Sequence, residues 1–268
     1  MRLVKMRGIS QTYNTKITFL GTGTSQGVPV IGCSCEVCRS TNPKDNRTRA
    51  SVFVETNYLH LLIDAGPDLR QQLLRQHIMH IDALLLTHEH KDHTGGIDDL
   101  RPVCFLLKKS IPIYGQRRVL HVIAKDYDYA FKKNKYPGVP ELKLCPVDER
   151  PFYIEQTIVK PVQIKHLHLN IFGYRVGNFA YITDASFIPD KEKQKLQHLD
   201  MLVLNALRKE EHYSHFNLKQ ALSLIEELQP RSAYLTHIGH DMGLYEDISK
   251  ELPAHVFMAY DGLEVFLP

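Results

Sequence analysis

The sequence has no long apolar run and little net charge. No stretch approaches the about 20 apolar residues that a membrane-spanning helix needs, and residues 1–14 lack the apolar run of a signal peptide. We therefore expect a cytoplasmic protein with no membrane partner. The formal net charge is +3 over 268 residues, too weak by itself to indicate a nucleic-acid partner. With 43% hydrophobic residues, residues 1–268 are predicted to form a single domain around a large core.

Cysteine is scarce, and its distribution is uneven. Three of the five cysteines, Cys33, Cys35 and Cys38, lie within six residues, and a disulfide framework is not expected in a chain of this size. Three thiolates at this spacing indicate a metal site, although structural zinc usually takes four ligands. A redox site or three reduced, buried cysteines are the alternatives. The isolated Cys104 and Cys145 are predicted to be small core residues.

The strongest local pattern is HEHKDH, which directly follows the apolar run 81–86. In an extended segment, His88 and His90 share a face and can turn toward one point. Asp92 and His93 follow in a glycine-containing turn that can present a second pair nearby. Two pairs of ligands predict two metal ions. The alternative is a polar surface loop. Four such groups within six residues favour the metal site over that alternative.

Strand-like runs alternate with helical patterns, and polar residues collect after the strands. The predicted strands are 16–20, 52–55 paired as a hairpin with 58–63, 81–86, 179–183, 201–204 and 233–236. One amphipathic helix is predicted from Leu69, Leu73, Leu74 and Ile78, and a second begins at the N-cap Asn217 and presents Leu218, Ala221, Leu222, Ile225 and Leu228. This alternation predicts an α/β protein whose sites lie at strand ends.

Outside the histidine run, the candidate ligands are single residues at predicted strand ends. These are Asp64, His166 or His168, Asp184 and His237. A lone aspartate at a strand end often forms a cap or turn instead. The sequence therefore leaves two roles for Asp64, a metal ligand or a cap or turn residue.

The glycine loop at 21–27 follows the first predicted strand. Its spacing, GxGxxxG, differs from that of a dinucleotide-binding loop, and no clear helix follows it. It is predicted to form a tight turn. Its backbone N–H groups could face an anion, or the loop could serve only as a turn.

Six segments in succession resemble the motifs of the metallo-β-lactamase superfamily: FLGTGTS, LLIDAG, LLLTHEHKDHTGG, HLHLNIFGYR, AYITDAS and YLTHIGHDMG. CSCEVC and SHFNL make the sequence most similar to the phosphoribosyl 1,2-cyclic phosphate phosphodiesterase family of phosphonate breakdown. The resemblance implies an αββα sandwich, with two mixed sheets flanked by helices and a dinuclear site at one edge between them. It also implies that Asp64 is the superfamily's structural aspartate.

The same resemblance implies specific ligands for two active-site metals. His88, His90 and His166 would hold the first, Asp92, His93 and His237 the second, and Asp184 would bridge them. His166 is preferred to His168 because family ligands lie a few residues before a Gly-Tyr-Arg such as 173–175. His168 would share the strand face of His166 and either contact a metal ligand from outside or be a plain polar residue.

Two further roles come from the resemblance. His215 would be the general acid that protonates the leaving oxygen, acting with Asp92 and Asp184, and its ordinary pKa near 6.5 would suit that role. Alternatively, it merely precedes the helix cap at Asn217. His240 would complete a structural zinc site with the three clustered cysteines and pin the loop 28–40 against the active-site edge.

The predicted function is hydrolysis of a small phosphate diester, such as a cyclic ribose phosphate. Two divalent ions about 3.5–4 Å apart can activate a bridging water and stabilise an in-line displacement. Zinc, manganese or iron would suit the ligands. The alternatives are a tRNA 3′-end processing endonuclease and a thioester or lactam hydrolase. A small-molecule partner is expected rather than nucleic acid, and a homodimer is compatible with the sequence.

Residues 101–144 are predicted to be a variable insert that is both basic and aromatic. A solvated surface is the main interpretation, and a phosphate-recognising lid is the alternative. The same composition could bind nucleic acid, but the sequence shows no long arm for gripping tRNA. The basic residues are Lys108, Lys109, Arg117, Arg118, Lys125, Lys132, Lys133 and Lys135, and the aromatic ones are Tyr127, Tyr129, Phe131 and Tyr136.

Overall fold

Two seven-stranded mixed β-sheets form the centre of the computed structural model. The structure describes residues 15–134 and 136–268, so the predictions for residues 1–14 and for Lys135 lie outside it. In chain order the strands are β1 Thr15–Gly21, β2 Ser51–Thr56, β3 His60–Ile63, β4 Ala83–Leu85, β5 Ile111–Gly115, β6 Leu142–Pro146, β7 Phe152–Ile154, β8 Thr157–His166, β9 Leu169–Val176, β10 Phe179–Ile182, β11 Met201–Asn205, β12 Ser232–Thr236, β13 Val256–Met258 and β14 Glu264–Leu267.

Each sheet is antiparallel on one side and parallel on the other. The first sheet has the order β14-β1-β2-β3-β4-β5-β6, and the second has the order β13-β12-β11-β10-β9-β8-β7. The run from β3 to β6 and the run from β10 to β13 are parallel. Loops after parallel strands gather at the carboxyl ends of those strands, where ligands bind in sheets of this kind.

Short helices cover the sheets and connect the strands. They are α1 Leu69–Arg75, α2 Lys91–Thr94, α3 Arg101–Leu107, α4 Arg117–Asp126, α5 Asp128–Phe131, α6 Asp190–Lys193, α7 Leu218–Leu228 and α8 Tyr245–Glu251, with single 3₁₀ turns elsewhere. Asn217 caps α7 as predicted, in a capping box with Gln220. Within the described ranges, no helix has both the length and the apolar character to cross a membrane.

Three apolar layers account for the architecture. A central layer joins the facing sides of the two sheets, and each outer layer packs one sheet against helices. In β11, Met201 and Val203 face the central layer, whereas Leu202 and Leu204 face the outer one. A strand buried on both faces is therefore a continuous apolar run, as expected for a parallel strand covered on both sides. The predicted αββα sandwich is confirmed.

The segment 101–144, which was predicted to be a variable insert, is part of the sandwich. It contains α3, α4 and α5, forms β5 and leads into β6 at the end of the first sheet. The inner face of α4 is buried, so the basic side chains lie on the outer side. Several pair with acidic neighbours, namely Lys109 with Asp82, Arg118 with Glu89 and Lys132 with Asp128. These contacts favour the solvated-surface interpretation.

Several local predictions also need correction. The helix α1 ends at Arg75, so Ile78 lies outside it, and Leu74 is 56% exposed instead of buried. Cys104 is buried as predicted, but Cys145 is only partly buried, because alternate residues of the edge strand β6 face outward. The strand predicted over 81–86 is shorter and covers 83–85. The hairpin of β8 and β9 was not anticipated, and His168 lies in its two-residue turn, not on a strand face.

Candidate active site

The loops that follow β3, β4, β10 and β12, together with the end of β8, bring the predicted ligands together at one edge of the sandwich. In the first group, His88, His90 and His166 present ring nitrogens within 4.8 Å of one another. The Nε2 of His88 and the Nδ1 of His90 are 2.9 Å apart. His88 is fully buried and His166 is 9% exposed.

The hydrogen bonds of His166 orient it as a ligand. Its Nδ1–H donates to the carbonyl oxygens of Asp184 and Ser214, at 2.9 and 3.0 Å. This leaves Nε2 with a lone pair that can bind a metal. His168 is exposed in the turn beyond β8. The geometry therefore favours His166 over His168.

The second group contains Asp92, His93, Asp184 and His237. The Nε2 of His93 lies 3.2 Å from one carboxylate oxygen of Asp92 and 3.2 Å from one of Asp184. The Nε2 of His237 lies 3.2 Å from the other oxygen of Asp184. Asp184 also forms a third group with His166 and His215. It is thus placed between the two ligand groups.

Unsatisfied polar atoms indicate that this cluster fits metal ions. The Nε2 of His93 and both ring nitrogens of His237 are buried and lack a hydrogen-bond partner among the described residues. Buried polar groups are normally paired, so the unpaired ring nitrogens here are available to bind an ion. Imidazole nitrogens and carboxylate oxygens are the donors that zinc, manganese and iron accept.

The protonation states of Asp184, His88 and His90 also suit a cation. Burial opposes protonation of His93, but Asp184, Asp92 and Asp64 outweigh it and raise the pKa of His93 well above the ordinary value, so His93 would release a proton when it binds a metal. Burial opposes ionisation of Asp184, but His237 and His93 outweigh it and hold its pKa well below the ordinary value. Burial lowers the pKa of His88 well below the ordinary value and that of His90 to a smaller extent. Carboxylates that are ionised and imidazoles that are neutral are the forms that bind metals.

Asp64 is fully buried behind the ligands, and it belongs to none of the candidate ligand groups. It accepts a hydrogen bond from the backbone N–H of Thr87 at 2.9 Å and others from the Thr87 hydroxyl. The Nδ1–H of His93 donates to it at 2.7 Å. A carboxylate in this position fixes the ring and tautomer of a ligating histidine. The contacts match the structural role that the resemblance implies.

Three of these residues have left-handed backbone conformations. The φ angles are 63° at Asp64, 58° at Asp184 and 54° at His237. Asp64 and His237 directly follow β3 and β12, and Asp184 follows β10 after Thr183. Residues other than glycine rarely adopt this region, at a cost of about 1–2 kcal/mol each. The bends turn each side chain back toward the shared edge, and nothing in the residue types alone predicted them.

A separate group combines Cys33, Cys35, Cys38 and His240. The sulfur atoms of Cys33 and Cys35 lie 3.3 and 3.4 Å from the Nδ1 of His240. The backbone N–H of Cys38 donates to Cys35 and lowers the pKa of that thiol to about 6, which favours the thiolate that metals bind. Three sulfurs and one imidazole match the tetrahedral ligand sets of structural zinc.

A cavity of about 510 Å³ opens beside the ligand groups. Its described lining includes no residue of 101–144, which argues against a lid formed by that segment. The glycine loop contributes Thr24, Ser25 and Gln26 to the wall. The backbone N–H groups of Gly23 and Thr24 are already bonded to Thr48 and Ile238, so those two groups serve the turn and do not face an anion.

His215 lies in the same cavity, close to the bridging position. Its Nε2 is 3.1 Å from a carboxylate oxygen of Asp184, and its Nδ1 is 2.9 Å from the hydroxyl of Ser214 and 3.2 Å from the Nδ1 of His212. Burial lowers the pKa of His215 to about 4. Burial thus opposes the ordinary value that the sequence led us to expect.

Sequence reasoning missed several polar residues of the cavity, among them Arg208 and His212. Both lie between β11 and the cap of α7, in the same loop as His215. That proximity was the available signal, because a loop that carries one candidate catalytic residue often carries others.

Comparisons with known proteins agree with this geometry. A family model for the beta-lactamase superfamily domain matches residues 60–238. The crystal structure of a new diphosphatase from the PhnP family superimposes with a TM-score of 0.89 at 38% identity, covering 94% of this chain and 97% of that one. The chain belongs to the beta-lactamase superfamily and, within it, to the PhnP-like family. It is a metal-dependent hydrolase.

Other matches are informative in more limited ways. A Porphyromonas gingivalis protein named octanoyltransferase is 42% identical over 251 residues, which are 92% of this chain and 51% of that protein. This PhnP-like chain therefore spans about half the length of that relative. Zn²⁺-bound PqqB from Methylobacterium extorquens has a TM-score of 0.75 at 18% identity and covers 93% of this chain and 99% of that one. Human tRNase Z, short form, has a TM-score of 0.69 at 20% identity, with coverages of 94% and 99%. The last two show the shared fold alone.

Proposed function

We propose that this chain is a dinuclear metal-dependent phosphodiesterase that cleaves a small phosphate ester or anhydride, such as a cyclic ribose phosphate. The observation that carries the proposal is the position of Asp184. Its carboxylate lies 3.2 Å from His93 and from His237, and its ligand atom is grouped with those of His166 and His215. The diphosphatase activity named for the similar PhnP-family structure also supports it.

The proposal assigns ligands to three metal ions. One active-site ion would be held by His88, His90 and His166. The other would be held by Asp92, His93 and His237. Asp184 would be a ligand of both ions. Zinc or manganese fits this donor set, as does iron. When bound, such a pair supplies an activated water and neutralises charge on the phosphoryl oxygens. The group of three cysteines with His240 would hold a structural zinc, which pins the loop 28–40 near the cavity.

The protein's own residues would orient the substrate and manage the proton. Asp64 accepts a hydrogen bond from the Nδ1–H of His93, so the Nε2 of His93 faces the cavity edge. Ser214 and His212 fix the Nδ1 side of His215, which leaves Nε2 beside Asp184 to give a proton to the departing oxygen. The negative oxygens of a bound phosphate ester would favour the protonated ring.

The octanoyltransferase name of one relative makes an acyl ester or thioester the second candidate substrate. Against it, Leu207 is the only aliphatic side chain among the described residues that line the cavity. A medium acyl chain needs an apolar pocket. The transferase activity in that name would then belong to the half of the relative that this chain does not match.

The test is turnover of bis-p-nitrophenyl phosphate, ribose cyclic phosphate, a tRNA precursor and an octanoyl thioester by metal-reconstituted protein. We expect hydrolysis of the two small phosphate esters, lost after chelation. Because general acid catalysis contributes about 10²- to 10⁴-fold, His215→Ala should slow the cyclic ester by such a factor. It should slow the p-nitrophenyl ester far less, since p-nitrophenolate departs without a proton.

His168→Ala is the matched control, because it removes an exposed histidine outside the cavity, and it should leave turnover unchanged. Cleavage of the tRNA precursor without turnover of the small esters would replace the proposal with a nuclease. Turnover of the thioester alone would replace it with a carbon-centred hydrolase.

A further inference from the structure

A further group of candidate metal ligands, which the sequence analysis did not single out, contains His60, His80 and Asp82. His60 begins β3, and Asp82 directly precedes β4, whereas the active-site residues Asp64 and His88 follow the other ends of these two strands. Because β3 and β4 are parallel, the group lies at the edge of the first sheet that is opposite the active site. The four residues of β3 separate the two edges by about 13 Å.

The carboxylate of Asp82 is fixed next to both histidines. The backbone N–H of Asp82 donates to the carbonyl of His60 at 2.9 Å, and the backbone N–H of His60 donates to the carboxylate at 2.9 Å. One carboxylate oxygen lies 3.2 Å from the Nδ1 of His60, and the other lies 2.8 Å from the Nε2 of His80. The ring of His60 stacks on those of His80 and Phe53, with centroids 4.7 and 6.0 Å away. The ligand atoms are therefore held close together by the fold itself.

The ligand set and its spacing suit a divalent transition metal. Two imidazoles and one carboxylate, with a fourth position left for water, match the open sites of zinc. Neighbouring ligand atoms of a tetrahedral zinc ion are about 3.3–3.6 Å apart, since its bonds are about 2.0–2.2 Å long. The pairs at 2.8 and 3.2 Å therefore need to separate by less than about 1 Å. A cavity of about 260 Å³ beside both histidines gives an ion access to the group.

A positive charge already lies against this group. The Nζ of Lys109 is 2.7 Å from a carboxylate oxygen of Asp82 and 3.4 Å from the Nε2 of His80. The ammonium shows that the group attracts a cation, and it also competes with a metal ion for the same place. The side chain of Lys109 is 43% exposed. Its displacement into solvent costs little, because partly exposed ion pairs are weak.

We propose that His60, His80 and Asp82 bind a further divalent transition-metal ion, such as Zn²⁺, in addition to the ions of the active site and the cysteine cluster. The bound ion would join the segment 76–82, which connects α1 to β4, to the start of β3. Its role would be structural, because it lies at the edge of the sheet away from the substrate cavity. The competing explanation is that Asp82 only forms hydrogen bonds and ion pairs with its neighbours. In that case no ion would bind there.

The experiment is equilibrium dialysis of the full chain against increasing Zn²⁺, followed by elemental analysis. At saturation, wild type should hold one zinc ion per chain more than His80→Ala, which loses a ligand from an exposed position. The imidazole ¹⁵N resonances of His60 should shift as this ion binds to wild type, and the thermal unfolding midpoint should rise. Lys109→Gln should bind the ion about 5-fold more tightly, because a like charge within about 4 Å is removed.

His77→Asn is the matched control. It removes an exposed histidine that lines the same cavity but belongs to no candidate ligand group. Asparagine tolerates the left-handed φ of 53° at this position, and the variant should bind as much zinc as wild type. Equal zinc contents in wild type and His80→Ala, or loss of the same ion in His77→Asn, would overturn the inference. None of these measurements is turnover, so failure of the proposed function would leave the test intact.

Discussion

Asp64→Asn is the substitution that most sharply tests how the second ligand group is oriented. Asp64 is fully buried and accepts the Nδ1–H of His93 at 2.7 Å. An asparagine amide in its place would keep an acceptor for Thr87 but direct a donor at His93. To avoid two opposed donors, His93 would shift its proton from Nδ1 to Nε2. The lone pair that faces Asp92 and Asp184 would then be lost.

The substitution should change both the metal affinity and the free energy of unfolding. Loss of the carboxylate that orients a ligating histidine weakens metal binding by about 10- to 100-fold. Replacing a charged hydrogen bond in a buried site should also lower the free energy of unfolding of the metal-free protein by about 2 kcal/mol. Asp64 does not belong to the ligand group that contains Cys33 and His240, so zinc at that site should remain bound.

The assay is equilibrium dialysis of chelator-treated protein against Mn²⁺ or Zn²⁺, followed by elemental analysis. Asp261→Asn is the matched control. That aspartate is also buried, with 4% of its side chain exposed, and accepts hydrogen bonds from Thr22 and Thr48, but it belongs to no candidate ligand group. It should lose comparable stability and keep wild-type metal affinity. Wild-type metal affinity in Asp64→Asn, or an equal loss of metal affinity in both variants, would show that Asp64 does not orient His93 as a ligand.

Three further predictions concern other parts of the molecule. Cys35→Ser should remove one equivalent of zinc per chain by elemental analysis; retention of that zinc would contradict the assigned ligand set. In Gly66→Ala the new Cβ would lie 2.1 Å from the carbonyl oxygen of Asp92, so the ligand turn must shift and active-site metal affinity should fall at least about 10-fold; unchanged affinity would show that the turn adapts freely. Partial burial opposes ionisation of Asp82, but Lys109, the N–H of His60 and His80 together hold its pKa below the usual range. Asp82→Asn should therefore reduce unfolding free energy by about 1 kcal/mol at pH 7, and the difference should shrink as pH falls below about 4, where the unfolded carboxyl is already protonated; a difference independent of pH would count against this assignment.

The local sequence was sufficient to single out the candidate ligands that are close together in the chain. His88 and His90 follow a continuous apolar run, but β4 ends at Leu85, so the turn after the strand, and not strand periodicity, brings the two histidines together. The cap at Asn217 was equally legible, because its capping box is local. The proximity of these residues to Asp184 and His237 came from the family resemblance, since the loops after β4, β10 and β12 meet only through pairing between distant strands.

Other features could not be predicted for physical reasons. The left-handed conformations of Asp64, Asp184 and His237 depend on how each bend packs, and the residue type permits but does not require them. The place of residues 101–144 in the first sheet was not anticipated from the sequence. The many basic residues obscure the apolar pattern of α4, which is helical in period and extends over only a short segment. Arg208 gave no signal, since a single arginine after a strand becomes informative only when its hydrogen-bond partners are known.

A titration of chelator-treated protein with Mn²⁺ or Zn²⁺, in which bound metal and hydrolysis of bis-p-nitrophenyl phosphate are followed together, tests whether two metal ions per chain support the hydrolysis. We expect turnover to rise with metal and to saturate when two ions per chain have bound in addition to the zinc of the cysteine cluster. Turnover that survives complete removal of metal, or that is absent with both ions bound, would contradict this expectation.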